Sequence, residues 1–184
     1  VMSGFRVALG GACERFGIDA DLVCLGKIVG GGFPLAAFGG KAEIMAKLSP
    51  SGPVYQAGTL SGNPVAVAAG LATLAKLTPE LYDDLEATGS ALQERLAQSV
   101  KDRGCSMSRV GSMFTIFFRE TVPTNFTQVS QCDMAAFGRF HRAALKCGVY
   151  LPPSQYEAAF LPSSMTEKEL EHLVSGIQSA LSEA

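Results

Sequence analysis

Leu22-Val23-Cys24-Leu25-Gly26-Lys27-Ile28-Val29-Gly30-Gly31-Gly32-Phe33-Pro34 is the stretch on which the fold turns. Leu22 to Leu25 is a short apolar run bounded by Asp21 and Gly26, a length that favours a buried strand over a helix. Lys27 follows that strand directly and precedes three glycines. A buried amine has a lowered pKa, because desolvation disfavours its charged form. A neutral amine attacks carbonyl carbon and forms a Schiff base. Glycines let backbone approach closely and leave room for a flat ligand. On spacing alone the plainer reading weighs more: a strand-end lysine whose ammonium reaches solvent beside a flexible loop.

Downstream, Leu35 to Phe38 is a second apolar run, closed by Gly39-Gly40. Lys41 to Leu48 reads as a short helix broken by Pro50, Gly52 and Pro53. Gly62-Asn63-Pro64 is a turn signal, and Pro64 suits a first helical position. Val65 to Leu77 is nearly all small and apolar, so the spacing predicts a helix buried on most sides. Ahead of it stands Gln56-Ala57-Gly58-Thr59-Leu60-Ser61, with two hydroxyls beside a helix start. Backbone N–H groups at a helix N-terminus bind phosphate well. Alone, the segment is better read as an ordinary capped loop, and the P-loop signature is absent.

Thr78-Pro79-Glu80 opens a new helix by capping, first-turn proline and acidic charge. Leu81, Leu85, Leu92, Leu96 and Val100 carry it to about Asp102. Ser108 to Val110 and Met113 to Phe118 read as paired strands across Gly111. Glu120 to Phe126 is a loop, Ser130 to Lys146 a helix, and Val149 to Leu151 a strand stopped by Pro152-Pro153. Thr166 and Glu169 form a capping box for the last helix. Strands alternating with helices indicate an α/β class, with a boundary near residue 78.

The chain has 184 residues, 47% apolar and 17% charged, enough for a core and far from a disordered composition. A net charge of −2 argues against a nucleic-acid binder. Cys13, Cys24, Cys105, Cys132 and Cys147 stand singly, so free thiols in a reducing compartment fit better than disulfides or zinc, and they are expected to be buried small hydrophobes. His141 and His172 sit in predicted helices with no partner at ligand spacing; no metal site is expected. No apolar run reaches the roughly 18 residues of a membrane span. The opening at Val1 has no signal-peptide pattern and reads as the start of a fragment.

Three segments together change the weighing: Leu25 to Pro34, Ala37 to Gly40, and Gly58-Thr59-x-x-Gly62-Asn63-Pro64. This pattern resembles the lysine region of the fold-type I, class III pyridoxal-phosphate aminotransferases. Gly52 to Pro64, and Gly148-Val149-Tyr150-Leu151-Pro152-Pro153-Ser154-Gln155-Tyr156-Glu157-Ala158, are more similar to the glutamate-1-semialdehyde 2,1-aminomutase branch. Other class III members usually carry His-Gly-Thr where this chain has Ala57-Gly58-Thr59. The resemblance covers essentially the whole chain. It implies a PLP-dependent transferase fold, with residues 1–78 as the C-terminal part of the large cofactor domain and 79–184 as the small C-terminal domain.

The same resemblance implies site roles. Lys27 would bond to the cofactor and shuttle a proton. Val1 would press on one face of the pyridine ring. Thr59, beside Gly58, would donate to the cofactor phosphate of a neighbouring subunit. Tyr55 and Glu157 would lie near the substrate; for Glu157 a solvated carboxylate after a Pro-Pro turn is an equal alternative, and Tyr55 has the alternative of a packed aromatic. In the family an Asp-Glu pair directly precedes the segment matching Val1 to Arg6, and its aspartate holds the pyridine nitrogen. Residues 1–184 alone are therefore expected to be inactive. The implied reaction moves an amino group within glutamate-1-semialdehyde through 4,5-diaminovalerate to 5-aminolevulinate, the tetrapyrrole precursor. Pyridoxal and pyridoxamine 5'-phosphate would be the cofactor forms, a homodimer the assembly, and the cytoplasm (or a plastid) the location. The alternatives are a class III omega-aminotransferase and a non-catalytic remnant of the fold.

Overall fold

A computed structural model describes residues 1–184. They divide into two compact units, Val1–Tyr82 and Asp83–Ala184.

The first unit contains α1 (Gly11–Phe16), β1 (Leu22–Leu25), a 3-10 turn (Lys27–Gly30), β2 (Ala37–Gly40), α2 (Ala42–Met45) and α3 (Pro64–Leu74). β1 and β2 are antiparallel, with Leu22 opposite Gly40 and Leu25 opposite Ala37. Lys41 closes their open end by ion pairs to Asp21 (2.7 Å) and Asp19 (3.4 Å). The apolar run at 22–25 is a strand, as its length predicts, but it is not buried. Leu22, Val23 and Phe38 are exposed, because β1 pairs along one edge with a four-residue partner in a two-stranded sheet.

α3 begins where Gly62-Asn63-Pro64 places it. The Asn63 side chain accepts from the N–H of Val65 (3.1 Å) and of Ala66 (3.2 Å), and Pro64 occupies the first turn. Burial on most sides does not occur: Ala66 and Gly70 are buried, while Val65 and Leu71 face solvent. The buried side seats the 3-10 turn. A Cβ on Gly70 would lie 2.3 Å from the Val29 carbonyl oxygen, so only glycine admits that approach.

In the second unit the long helix α4 (Pro79–Asp102), whose first turn begins in the first unit, buries Leu85, Leu92, Leu96 and Val100. β3 (Ser106–Val110) and β4 (Met113–Phe117) form a hairpin closed by Gly111-Ser112. Gly111, at φ +58°, supplies the left-handed position that such a short loop needs. Arg109 ties the hairpin to α4. Its guanidinium donates to the Gly111 carbonyl (2.8 Å), the Gln93 side chain (2.9 Å) and Glu86 (2.7 Å).

The helix predicted over 130–146 starts later, as α6 (Met134–Lys146), and a separate short helix α5 (Phe126–Ser130) precedes it. Asp133 separates them, because its carboxylate accepts from the N–H of Ala135 (2.9 Å) and Ala136 (2.8 Å) and restarts the helix. Val149 to Leu151 is extended but joins no ladder. Val149 and Leu151 point into the core, Tyr150 points out, and the two following prolines offer no donor. The third strand is instead β5 (Ala159–Phe160), paired with β4 in the order β3-β4-β5. α7 (Glu167–Ser182) carries the Thr166–Glu169 capping box. Leu92, Leu96, Phe140, Ile177 and Leu181 form the centre of the core.

Buried Gln155 joins the Pro-Pro loop to this core. It donates to the Ile116 carbonyl (2.8 Å) and accepts from the Phe118 N–H (3.2 Å). Gln155→Ala leaves two buried backbone groups unpaired, so a loss of about 1–3 kcal/mol is expected. A lower urea midpoint with an unchanged slope checks this.

Candidate functional site

Of the expected site residues of the first unit, Val1 and Gly58 line a cleft beside β1, and Lys27 follows the end of that strand. Gly26 is fully extended, and Lys27 then turns the chain at φ +57° into the 3-10 turn. Positive φ is uncommon for any residue but glycine, and such strained positions concentrate at functional sites. The other non-glycine case is Phe5 at φ +58°, whose carbonyl accepts from the Tyr82 hydroxyl at 2.9 Å. Both lie in the same unit. No sequence signal pointed to Phe5.

Lys27 is exposed, as the plainer reading of a strand-end lysine has it. The reason is local: Gly26 and Lys27 swing out of the strand, and β1 itself is uncovered. Val1 lies against this bend; a Cβ on Gly26 would come within 3.0 Å of the Val1 Cγ1. An open cleft of about 790 Å³ lies alongside, lined by Val1, Cys24, Leu25, Phe38, Gly58, Leu60 and Ser61 among others. The cleft thus unites two of the expected positions, Val1 and Gly58, with the strand that delivers Lys27. Phe38 and Leu60 are lining residues that the sequence reading passed over; apolar side chains flanking glycines were the available signal.

Thr59 and Tyr55 belong to the exposed segment 53–62. Tyr55 is 82% exposed, so it is not a packed aromatic within the chain. Ser61 N–H donates to the Gly58 carbonyl (2.9 Å), which closes a turn over 58–61 that contains Thr59. The first amides of α3 are already engaged: Val65 and Ala66 by the Asn63 side chain, Val67 by the Asn63 carbonyl (2.9 Å). An anion here therefore meets the loop and its hydroxyls rather than the helix terminus itself.

Glu157 lies in the other unit. Its N–H donates to the Ser154 carbonyl (3.1 Å), and its carbonyl accepts from the Thr115 hydroxyl (3.3 Å). Its side chain is exposed, beside a small apolar recess lined by Phe137, Phe140 and Leu151. Among the histidines, His141 is satisfied by the Leu151 carbonyl (3.0 Å) and stacks on Phe137.

The cysteines divide by burial. Cys105 and Cys132 are buried, whereas Cys24 is exposed in the cleft, because β1 is uncovered. Burial pushes the Cys105 thiol up to about 11, and the Cys132 thiol also upward. Folding thus favours the protonated Cys105. Its contribution is intact below the ordinary thiol range and is lost as pH rises from about 9 towards 11. Native-state alkylation of residues 1–184 at pH 8 should label Cys24 rapidly and spare Cys105 and Cys132 until the second unit opens.

A family model described as Aminotransferase class-III matches residues 1–181. Glutamate-1-semialdehyde 2,1-aminomutase of Sorangium cellulosum (strain So ce56) is 52% identical over 98% of this chain. That of Heliobacterium modesticaldum (strain ATCC 51547 / Ice1) is 49% identical over 98%. The chain spans 42% of the length of each of these relatives. Among solved structures, an omega-transaminase from Sphaerobacter thermophilus superposes with a TM-score of 0.87 at 32% identity, over 100% of this chain and 43% of that one. A glutamate-1-semialdehyde-aminomutase from Pseudomonas aeruginosa PAO1 shares the fold, with a TM-score of 0.82 at 21% identity over 96% of this chain and 42% of its own. The α/β architecture is that of the fold-type I PLP-dependent transaminases, and the chain belongs to the class III aminotransferase family.

Proposed function

We propose that the complete gene product is a pyridoxal-phosphate enzyme that moves an amino group within glutamate-1-semialdehyde to give 5-aminolevulinate. The observation that carries this reading is the identity of 52% with an aminomutase, spread over nearly the whole chain. The cleft suits the cofactor: its volume is in the range of small-molecule sites, a lysine stands at the strand end beside it, and a loop rich in glycine and hydroxyls faces it. When bound, pyridoxal phosphate supplies an electron sink for carbon–hydrogen bonds next to the amine.

The chain's residues do the rest. Lys27 would hold the cofactor at Nζ and, once released, would move one proton between the substrate carbon and the cofactor carbon that exchange the amine. Val1 packs on the ring face, and Gly58 keeps the opposite wall open. Thr59 donates its hydroxyl to a phosphate oxygen, across the interface of a homodimer. Tyr55 and Glu157 contact the substrate. The location proposed is the cytoplasm. No helix is long and apolar enough to cross a membrane.

A second reading, a class III omega-aminotransferase, draws on the TM-score of 0.87 with the Sphaerobacter enzyme. Incubating the complete gene product with glutamate-1-semialdehyde and no external amino acceptor separates the two. Formation of 5-aminolevulinate supports the aminomutase. Its absence, with amine transfer from an omega-amino donor to an added keto acid, supports the second reading.

A further inference from the structure

We propose that Gly70 is a positioning residue for Lys27: α3 receives the 3-10 turn backbone-to-backbone at Gly70, and this seat fixes where the Lys27 amine stands. The inference rests on the reading that Lys27 carries the cofactor. Lys27 opens the turn in a left-handed conformation that an unsupported lysine disfavours, so something must hold it. The turn is one residue wide at each contact. A Cβ on Gly70 would stand 2.3 Å from the Val29 carbonyl oxygen and 3.2 Å from the Leu35 side chain. Reciprocally, a Cβ on Gly31 (φ +57°) would stand 2.6 Å from the Ala69 carbonyl oxygen and 2.4 Å from the Thr73 hydroxyl. The two glycines interlock, and Val29 between them is buried.

Backbone oxygens cannot rotate away as a side chain would. A single methyl on Gly70 must therefore push the whole turn outward, and Lys27, two residues before Val29, moves with it. Neither Gly70 nor Val29 lines the cleft. Gly70→Ala can reach the cofactor through the turn or through Leu35, which does line the cleft; pressure through Leu35 weakens both cofactor forms alike, and only a displaced Lys27 separates them.

The test compares two ligands in the complete gene product. Pyridoxal phosphate has an aldehyde that can bond to Lys27, whereas pyridoxamine phosphate has an amine that cannot. A loosened or partly unfolded cleft weakens both alike. A displaced lysine weakens only the aldehyde form. For Gly70→Ala, dissociation constants measured by fluorescence should show pyridoxal phosphate weakened about 10-fold more than pyridoxamine phosphate. Borohydride fixation of cofactor on the Lys27 peptide should slow in parallel.

Val29→Ala, which loosens the same turn without a clash, should act in the same direction but less, and it serves if Gly70→Ala does not fold. Equal weakening of both ligands, or no change, in the variant that folds overturns the proposal. Lys27→Ala sets the reference. If it leaves the preference for the aldehyde form intact, the reading of Lys27 fails instead.

Discussion

Lys27→Ala in the complete gene product should abolish 5-aminolevulinate formation, with a loss of about 1,000-fold or more, because one amine both anchors the cofactor and moves the proton. Borohydride should then fix no cofactor on the peptide spanning 22–35. Lys27→Arg should not rescue, since a guanidinium stays protonated and cannot attack an aldehyde. In residues 1–184, far-ultraviolet circular dichroism and the thermal midpoint should stay close to those of the unchanged chain, because Lys27 is exposed there and its removal opens no cavity. Retention of turnover in Lys27→Ala would refute the assignment outright.

Phe140→Ala should have the largest effect on stability. Its ring is 1% exposed and lies against Phe118 (centroids 5.4 Å apart) and Phe137 (6.2 Å). Truncating a buried phenylalanine costs about 3–5 kcal/mol through lost transfer energy and the cavity left behind. Urea unfolding followed by near-ultraviolet circular dichroism measures it. A loss below about 1 kcal/mol would mean that the second unit repacks around the gap far more readily than close-packed cores do. Cofactor affinity is expected to change little in the same variant, because the proposed cleft lies in the other unit.

What the sequence disclosed was local. β1 lies at Leu22–Leu25, α3 starts at Pro64, α4 runs from Pro79 to Asp102, and Thr166–Glu169 caps the last helix, as length, punctuation and capping chemistry dictate. Burial was less legible. An apolar run shows that a strand has oily faces, not what covers them, and so β1 was expected to be buried yet is exposed. The start of α6 at Met134 rather than Ser130 was missed because no proline announces it, only Asp133, whose carboxylate accepts from two amides. Val149 to Leu151 has strand chemistry, but Pro152 and Pro153 deny it a ladder. Of the candidate site, Lys27, Gly58 and Thr59 were singled out by the family resemblance, since on the residues alone a strand-end lysine and a capped loop were the plainer readings. The mutual seating of Gly31 and Gly70 was not, since it depends on two segments 39 residues apart meeting at backbone distance.

The ribbon of β1 and β2 bears on handling as well as on chemistry. Leu22, Val23 and Phe38 stand in water beside unclaimed peptide groups, a template on which stray chains can lengthen the sheet. Residues 1–184 produced by themselves should therefore clump as their concentration rises, and a charged replacement such as Val23→Lys should keep them dispersed.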